Sequence, residues 1–287
     1  MIDIQNQQDD REIPLQKVGV KGLSYPVKVL DKKNQFQSTT ALVDLFVNLP
    51  HHYKGTHMSR FIEIFHAHHT DISMKSFLSM LQDIRTELDA EKAFGSVSFP
   101  FFIEKEAPVS KQKSMLSYQC SYEGSVSSDE SEFFVTICVP VTTLCPCSKA
   151  ISQNGAHNQR GNVTVKLKNS FFFWIEDVIK LIEDSASCAI YSLLKREDEK
   201  FVTEKAYENP RFVEDVVREV YLALKSFSAE KPFSWFSVEA ENFESIYRST
   251  KGIISEATNL KNAVDEVTGE NQRSEEQMGH VCSITEE

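Results

Sequence analysis

The sequence has no uninterrupted apolar run approaching the roughly 20 residues that a membrane-spanning helix requires, so no span is expected. Its start, Met1-Ile2-Asp3-Ile4-Gln5-Asn6-Gln7-Gln8-Asp9-Asp10, is polar and acidic. It lacks the basic n-region and the apolar h-region of a secretory signal, and the expected location is the cytoplasm. Positive charge is also scarce: 31 Lys and Arg stand against 42 Asp and Glu, a net charge of -11. Phosphate backbones and anionic lipid surfaces select basic faces, so neither nucleic acid nor a membrane is expected as a partner. An anionic substrate would need a local cluster of Lys and Arg. Six cysteines in 287 residues are too few for a disulfide framework and read as free, ligating or catalytic thiols.

What is present is a chain with 41% apolar residues, enough for one large or two modest globular domains. Val18 to Leu30 alternates loosely and is rich in Val, which reads as a strand, and Thr39 to Leu49 reads as another. Met58 to His68 and Ser73 to Glu87 carry apolar residues at three- and four-residue spacing, the pattern of amphipathic helices. β-rich stretches follow at Phe94 to Ile103 and Met115 to Tyr122. After the turn at Gly124 to Ser131 the order begins again: strands at Phe133 to Thr143 and Asn162 to Leu167, helices at Trp174 to Ser187 and Phe212 to Lys225, a strand at Phe233 to Glu241. The simplest account is an α+β fold of two tandem ββααββ units, with antiparallel sheets and helices on one face. The expected division is an N-terminal arm over 1–13, a first unit over 14–125, a second over 126–250 and a divergent, poorly ordered tail over 251–287, where Asn, Glu, Gln, Thr and Ser crowd out aromatics.

Two segments carry chemistry. Val139 to Lys149 runs off a strand into a loop holding Cys145 and Cys147, and Gly155-Ala156-His157-Asn158-Gln159-Arg160-Gly161 leads into the next strand. Thiolate and imidazole can converge there and suit a borderline-soft metal such as zinc. Taken alone, the same residues also fit small buried cysteines beside a hydrogen-bonded loop histidine. Tyr191 to Asp215 reads by itself as a charged, solvated loop between two helices, with Asn209-Pro210 as a turn before the second.

Together these segments closely resemble the type IB GTP cyclohydrolases, a family of the tunnelling fold. The most diagnostic strings are Thr142-Thr143-Leu144-Cys145-Pro146-Cys147-Ser148-Lys149, Ala156-His157-Asn158-Gln159-Arg160-Gly161 and Glu208-Asn209-Pro210-Arg211-Phe212-Val213-Glu214-Asp215. The resemblance begins at Asp9-Asp10-Arg11, runs through Gly55-Thr56-His57-Met58-Ser59-Arg60, and reaches Val238 to Ile246. It implies two ββααββ units per chain, a homotetramer with active sites at subunit interfaces, and conversion of GTP and water to formate and 7,8-dihydroneopterin triphosphate, the first step toward tetrahydrofolate-type pterins. It also implies one divalent metal per site, zinc, manganese or iron(II), held by Cys145, His157 and Glu199 with an open position for water. Glu214 would hold the guanine edge, since a carboxylate suits adjacent N–H donors, so the catalytic group is Cys145, His157 and Glu214. Lys149, Arg160, Lys195, Arg196 and Arg60 lie within the matching motifs as triphosphate contacts, with His57 as a further substrate contact and Cys147 a weaker candidate beside the site.

The match breaks after Glu244-Ser245-Ile246. Family members continue with a His-x-His pair and a short apolar strand, whereas this chain continues Tyr247-Arg248-Ser249-Thr250-Lys251. If those histidines donate protons or touch substrate, their loss removes about 2 to 5 kcal/mol of transition-state stabilisation. The alternative function is therefore a catalytically impaired homologue that still binds metal and a purine nucleotide. A tunnelling-fold nitrile reductase has no matching signature, and a purely structural assembly module would make the coincidence of metal-type ligands and phosphate-type cations accidental.

Overall fold

A computed structural model describes residues 5, 7–168, 171–227, 232–246, 248–257 and 281–283. Most of the expected tail, 258–280 and 284–287, lies outside the described residues, as does Tyr247. The chain divides into two compact units, Met1–Phe101 with Gln119–Val135, and Phe102–Tyr118 with Thr136–Glu287.

The elements of the first repeat are β1 (Leu15–Asp31), β2 (Gln35–Leu49), α1 (Met58–His68), α2 (Met74–Glu87), β3 (Ala93–Glu106) and β4 (Lys113–Val126). β1 pairs antiparallel with β2, and β2 with β3. Alternation along β2 buries Ala41, Val43, Leu45 and Val47, because successive strand side chains leave opposite faces of the sheet. The helices lie against that buried face. α1 supplies Phe61 and Phe65, and α2 supplies Phe77, Met80, Leu81 and Ile84, all fully buried. α2 starts where Ser73 accepts a hydrogen bond from the Ser76 N–H, satisfying one of the free amides of its first turn.

The second repeat runs β5 (Ser131–Leu144), α3 (Pro146–Ile151), β6 (Asn158–Lys168), α4 (Ile175–Ser185), the two-residue β7 (Cys188–Ala189), α5 (Arg196–Glu208), α6 (Val213–Ser226), β8 (Trp235–Phe243) and β9 (Thr250–Ala257). β6 pairs antiparallel with β8, β8 with β9, and β7 lies on β5. Val163, Val165 and Leu167 of β6 and Val238 and Ala240 of β8 are buried, as are Val178, Ile179 and Ile182 of α4 and Val216, Val217, Val220 and Leu224 of α6. Each repeat thus reads ββααββ, with short extra elements in the second, and the chain is α+β with antiparallel strands.

Three local expectations are corrected. The stretch read as a charged loop contains α5, a helix of 13 residues. Its first turn carries Glu197, Asp198 and Glu199, which favour the positive end of the helix dipole. Residues after Cys145 form the short helix α3, with Pro146 at its first position, where the missing N–H costs nothing. The strand that the sequence had lost after Ile246 is present as β9, in register with β8 from Trp235↔Ala257 to Asn242↔Thr250. Backbone pairing does not need an apolar pattern, and Lys251 Nζ adds a cross-strand ion pair to Glu239 at 2.7 Å.

Candidate functional site

In the second unit, the loop from Cys145 to His157 is closed on itself. The Cys145 N–H donates to the His157 carbonyl at 3.1 Å, and the His157 N–H donates to Ser148 Oγ at 3.0 Å. Cys145 is the N-cap of α3, and its Sγ accepts from the Ser148 N–H at 3.4 Å. Gly155, in the same loop, sits at φ 78°, a left-handed conformation that favours glycine. This closure holds Cys145 and His157 on the two ends of one loop.

That loop is clamped to the segment joining α4, α5 and α6. Leu144, the residue before Cys145, donates its N–H to Ser187 Oγ at 3.2 Å and accepts from the Arg211 N–H at 3.0 Å. Asn209 Nδ2 donates to the carbonyls of Ala186 and Ser187 at 3.0 and 3.5 Å. Lys149 donates to the Tyr207 carbonyl and sits 4.4 Å from the centre of the Tyr207 ring. Glu214 lies in the first turn of α6, whose start is fixed by the Phe212 N–H donating to Asp215 at 3.0 Å. The structure therefore brings the segment carrying Cys145, His157 and Lys149 against the segment carrying Arg211 and Glu214.

His157 is flanked by groups that orient it. Its Nδ1 lies 3.1 Å from Gln159 Oε1. An amide oxygen only accepts, so Nδ1 carries the proton and Nε2 keeps its lone pair. Glu244 Oε2 stands 3.8 Å from the same Nδ1, with the Glu244 side chain only 7% exposed. Glu244 Oε1 accepts from Thr250 Oγ1 at 2.8 Å and from Gln159 Nε2 at 3.5 Å. Glu244 belongs to the Glu-Ser-Ile string, but its role was not legible there. The signal was a carboxylate just past the end of β8, which pairs with the start of β6 (Arg160↔Phe243), a strand that begins one residue after His157.

Three of the buried side-chain atoms without a hydrogen-bond partner among the described residues belong to these segments: Thr143 Oγ1, Arg211 Nε and Glu244 Oε2. Unpaired groups of this kind are uncommon in folded chains, and a ligand is one of the few explanations that removes their cost.

The remaining expected residues are placed more loosely. Glu199 is exposed on α5, and Lys195 and Arg196 are exposed at the start of that helix. Arg160 is exposed on β6, opposite Phe243. Cys147 is an exposed free thiol. In the first unit, His57 is the N-cap residue of α1 and Arg60 Nη1 donates to the Glu87 carbonyl at 2.5 Å. Among the described residues, no group of three His, Cys, Asp or Glu side chains is assembled to hold a metal ion. Cys145 and His157 nevertheless supply the sulfur and nitrogen donors that a borderline-soft cation takes, with an unpaired carboxylate oxygen close by. No described helix is long and apolar enough to cross a membrane.

Residues 1–249 match the family model of the type I GTP cyclohydrolase folE2. The chain is 54% identical over 247 residues to a GTP cyclohydrolase FolE2 of Syntrophus aciditrophicus, covering 86% of this chain and 96% of that one. It is 52% identical over 248 residues to the protein of the same name from Geobacter sulfurreducens, covering 86% and 95%. For Geotalea uraniireducens the match is 50% over 265 residues, covering 92% and 96%. Among solved structures, uricase from Arthrobacter globiformis superposes with a TM-score of 0.50 at 7% identity, covering 88% of this chain and 97% of that one. At that identity the likeness concerns the fold alone, which is the tunnelling fold.

Proposed function

This chain belongs to the type I GTP cyclohydrolase folE2 family and is a GTP cyclohydrolase, and we propose that it opens the guanine imidazole ring of GTP with water at the loop that joins Cys145 to His157. The products are formate and 7,8-dihydroneopterin triphosphate, at the head of a tetrahydrofolate-type pterin route. The observation that supports this assignment to the second unit is the closed loop that joins Cys145 to His157, clamped through Leu144 to Ser187 and to Arg211, three residues before Glu214.

Cys145, His157 and Glu199 would hold one divalent metal, zinc, manganese or iron(II). A cation bound there supplies the Lewis acidity that makes water a competent nucleophile near neutral pH. The protein's own contribution begins with His157: Gln159 and Glu244 fix its tautomer so that Nε2 is free to ligate. Glu214 accepts from the ring N–H and exocyclic amine of guanine, and the rigid start of α6 holds that carboxylate in place. Lys149, Arg160, Lys195 and Arg196 are the second unit's candidates for the triphosphate. Lys149 is the one that follows Cys145 most closely in sequence, with its ammonium held by the Tyr207 carbonyl and ring. Assembly into a homotetramer with interfacial sites, which the family resemblance implies, is part of the same reading.

The test is anaerobic incubation of purified, metal-reconstituted protein with GTP, following dihydroneopterin triphosphate by fluorescence after oxidation and formate in parallel. Product from the wild type and none from Cys145→Ala supports the assignment. GTP and metal bound without formate would make the chain the impaired homologue instead.

A further inference from the structure

Asp198 is the least exposed charged residue near the proposed site, with 0% of its surface accessible, yet its neighbours in sequence, Glu197 and Glu199, are exposed. Its carboxylate accepts four hydrogen bonds: the Val109 N–H at 2.8 Å, the Ser110 N–H at 2.9 Å, Ser110 Oγ at 2.5 Å and the Lys195 N–H at 2.8 Å. The first three come from the turn that joins β3 to β4. That turn is itself closed by the Ala107 N–H donating to the Gln112 carbonyl at 2.8 Å, and its Lys111 sits at φ 61°. Burial opposes the charged form of Asp198, but the Ser110 hydroxyl and the three backbone amides outweigh it and hold the carboxyl well below the usual carboxylate range.

We propose that Asp198 is a positioning residue, which ties the first turn of α5 to the β3–β4 turn and so sets the direction in which Lys195, Arg196 and Glu199 point. The proposal rests on the reading of Glu199 as a metal ligand and of Lys195 and Arg196 as triphosphate contacts. A capping hydrogen bond alone would secure only the helix end. Here one carboxylate also bonds a separate segment three times, which stops α5 from rotating about its own axis. Successive residues of a helix are offset by about 100°, so a locked Asp198 fixes the direction in which the Cα–Cβ bond of Glu199 leaves the helix. Exposed, flexible side chains gain a definite geometry from one buried neighbour, and that is how a supporting contact changes ligand affinity without touching the ligand.

The experiment compares wild type, Ser110→Ala, Ser110→Thr and Asp198→Asn as full-length protein. It measures Mn(II) binding to the metal-free form, the visible spectrum of the Co(II) form, and KM and kcat for GTP. Ser110→Ala removes one of the four bonds without touching α5, so it remains informative if Asp198→Asn fails to fold. The expected result is Mn(II) binding weakened by about 10- to 100-fold, a changed Co(II) spectrum and a raised KM in Ser110→Ala and Asp198→Asn, with Ser110→Thr close to wild type. Folded Ser110→Ala with wild-type Mn(II) affinity, spectrum and KM would overturn the proposal, as would a Ser110→Thr protein as impaired as Ser110→Ala. A wild type that binds no Mn(II) and releases no formate would bring down the functional reading first, and this proposal with it.

Discussion

Replacing Glu244 by Gln separates function from stability. The Glu244 side chain is 7% exposed, with Oε1 bonded to Thr250 and Oε2 unpaired 3.8 Å from His157 Nδ1. A buried acceptor left without a partner costs about 1 to 3 kcal/mol. Gln keeps the shape and an oxygen for Thr250, and it replaces a buried charge with a neutral amide. The new amide N–H, however, faces the His157 Nδ1–H without an acceptor, so the loss of the buried charge and the unpaired donor offset, and Tm should shift by no more than about 2 to 4 °C, about 1 kcal/mol. The carboxylate that orients His157 is lost in the same step. Removing such a partner weakens metal binding by about 10- to 100-fold, or about 1.4 to 2.7 kcal/mol. Equilibrium dialysis against Mn(II), beside thermal melts of the metal-free protein, measures both quantities. Unchanged metal affinity, or a Tm lowered by more than about 4 °C, would refute the reasoning, because Glu244 would then be an ordinary structural carboxylate.

Three further outcomes follow from the same geometry. Tyr118 donates to Glu183 at 2.8 Å, and burial, reinforced by that carboxylate, pushes its phenol far above the usual tyrosine range. Its stabilising effect is complete below the unfolded pKa of about 10 and is lost as pH rises beyond it, at about 1.4 kcal/mol per pH unit; urea melts from pH 9 to 11 should show a shallower fall for Tyr118→Phe than for wild type. Asn209→Ala removes the bonds to the Ala186 and Ser187 carbonyls, which should lower the urea-derived stability by about 0.5 to 1.5 kcal/mol and raise the Kd for Mn(II), since Ser187 holds the residue before Cys145. A Cβ at Gly161 would stand 2.3 Å from Asn242 Oδ1 and 2.9 Å from the Glu241 carbonyl, so Gly161→Ala should cost about 1 to 3 kcal/mol, read as a lower urea midpoint at unchanged slope.

The amphipathic spacing of Met58 to His68 and Ser73 to Glu87, and the alternation of β2 and β5, identified most helices and strands because burial on one face writes its period into the sequence. α5 escaped that reading: only Asp198 and Ala206 of its residues are buried, so it has almost no apolar stripe to show. β9 escaped for a related reason, since its backbone bonds to β8 are indifferent to side-chain type. The candidate site was legible as residue types: the thiol of Cys145, the imidazole of His157 and the carboxylate of Glu214 stand out in the motif strings. Element pattern and motif strings determined the fold class and the family, and named these groups as candidates. Only the tertiary structure decided that Glu244 and Gln159 orient His157, that Arg211 and Ser187 grip Leu144 from both sides, and that Asp198 is an anchor while Glu199 is exposed. The reason is physical: a hydrogen bond between residues tens of positions apart depends on where the chain has been carried, and neighbouring acidic residues in one charged run look alike until folding desolvates one of them and leaves the others in water.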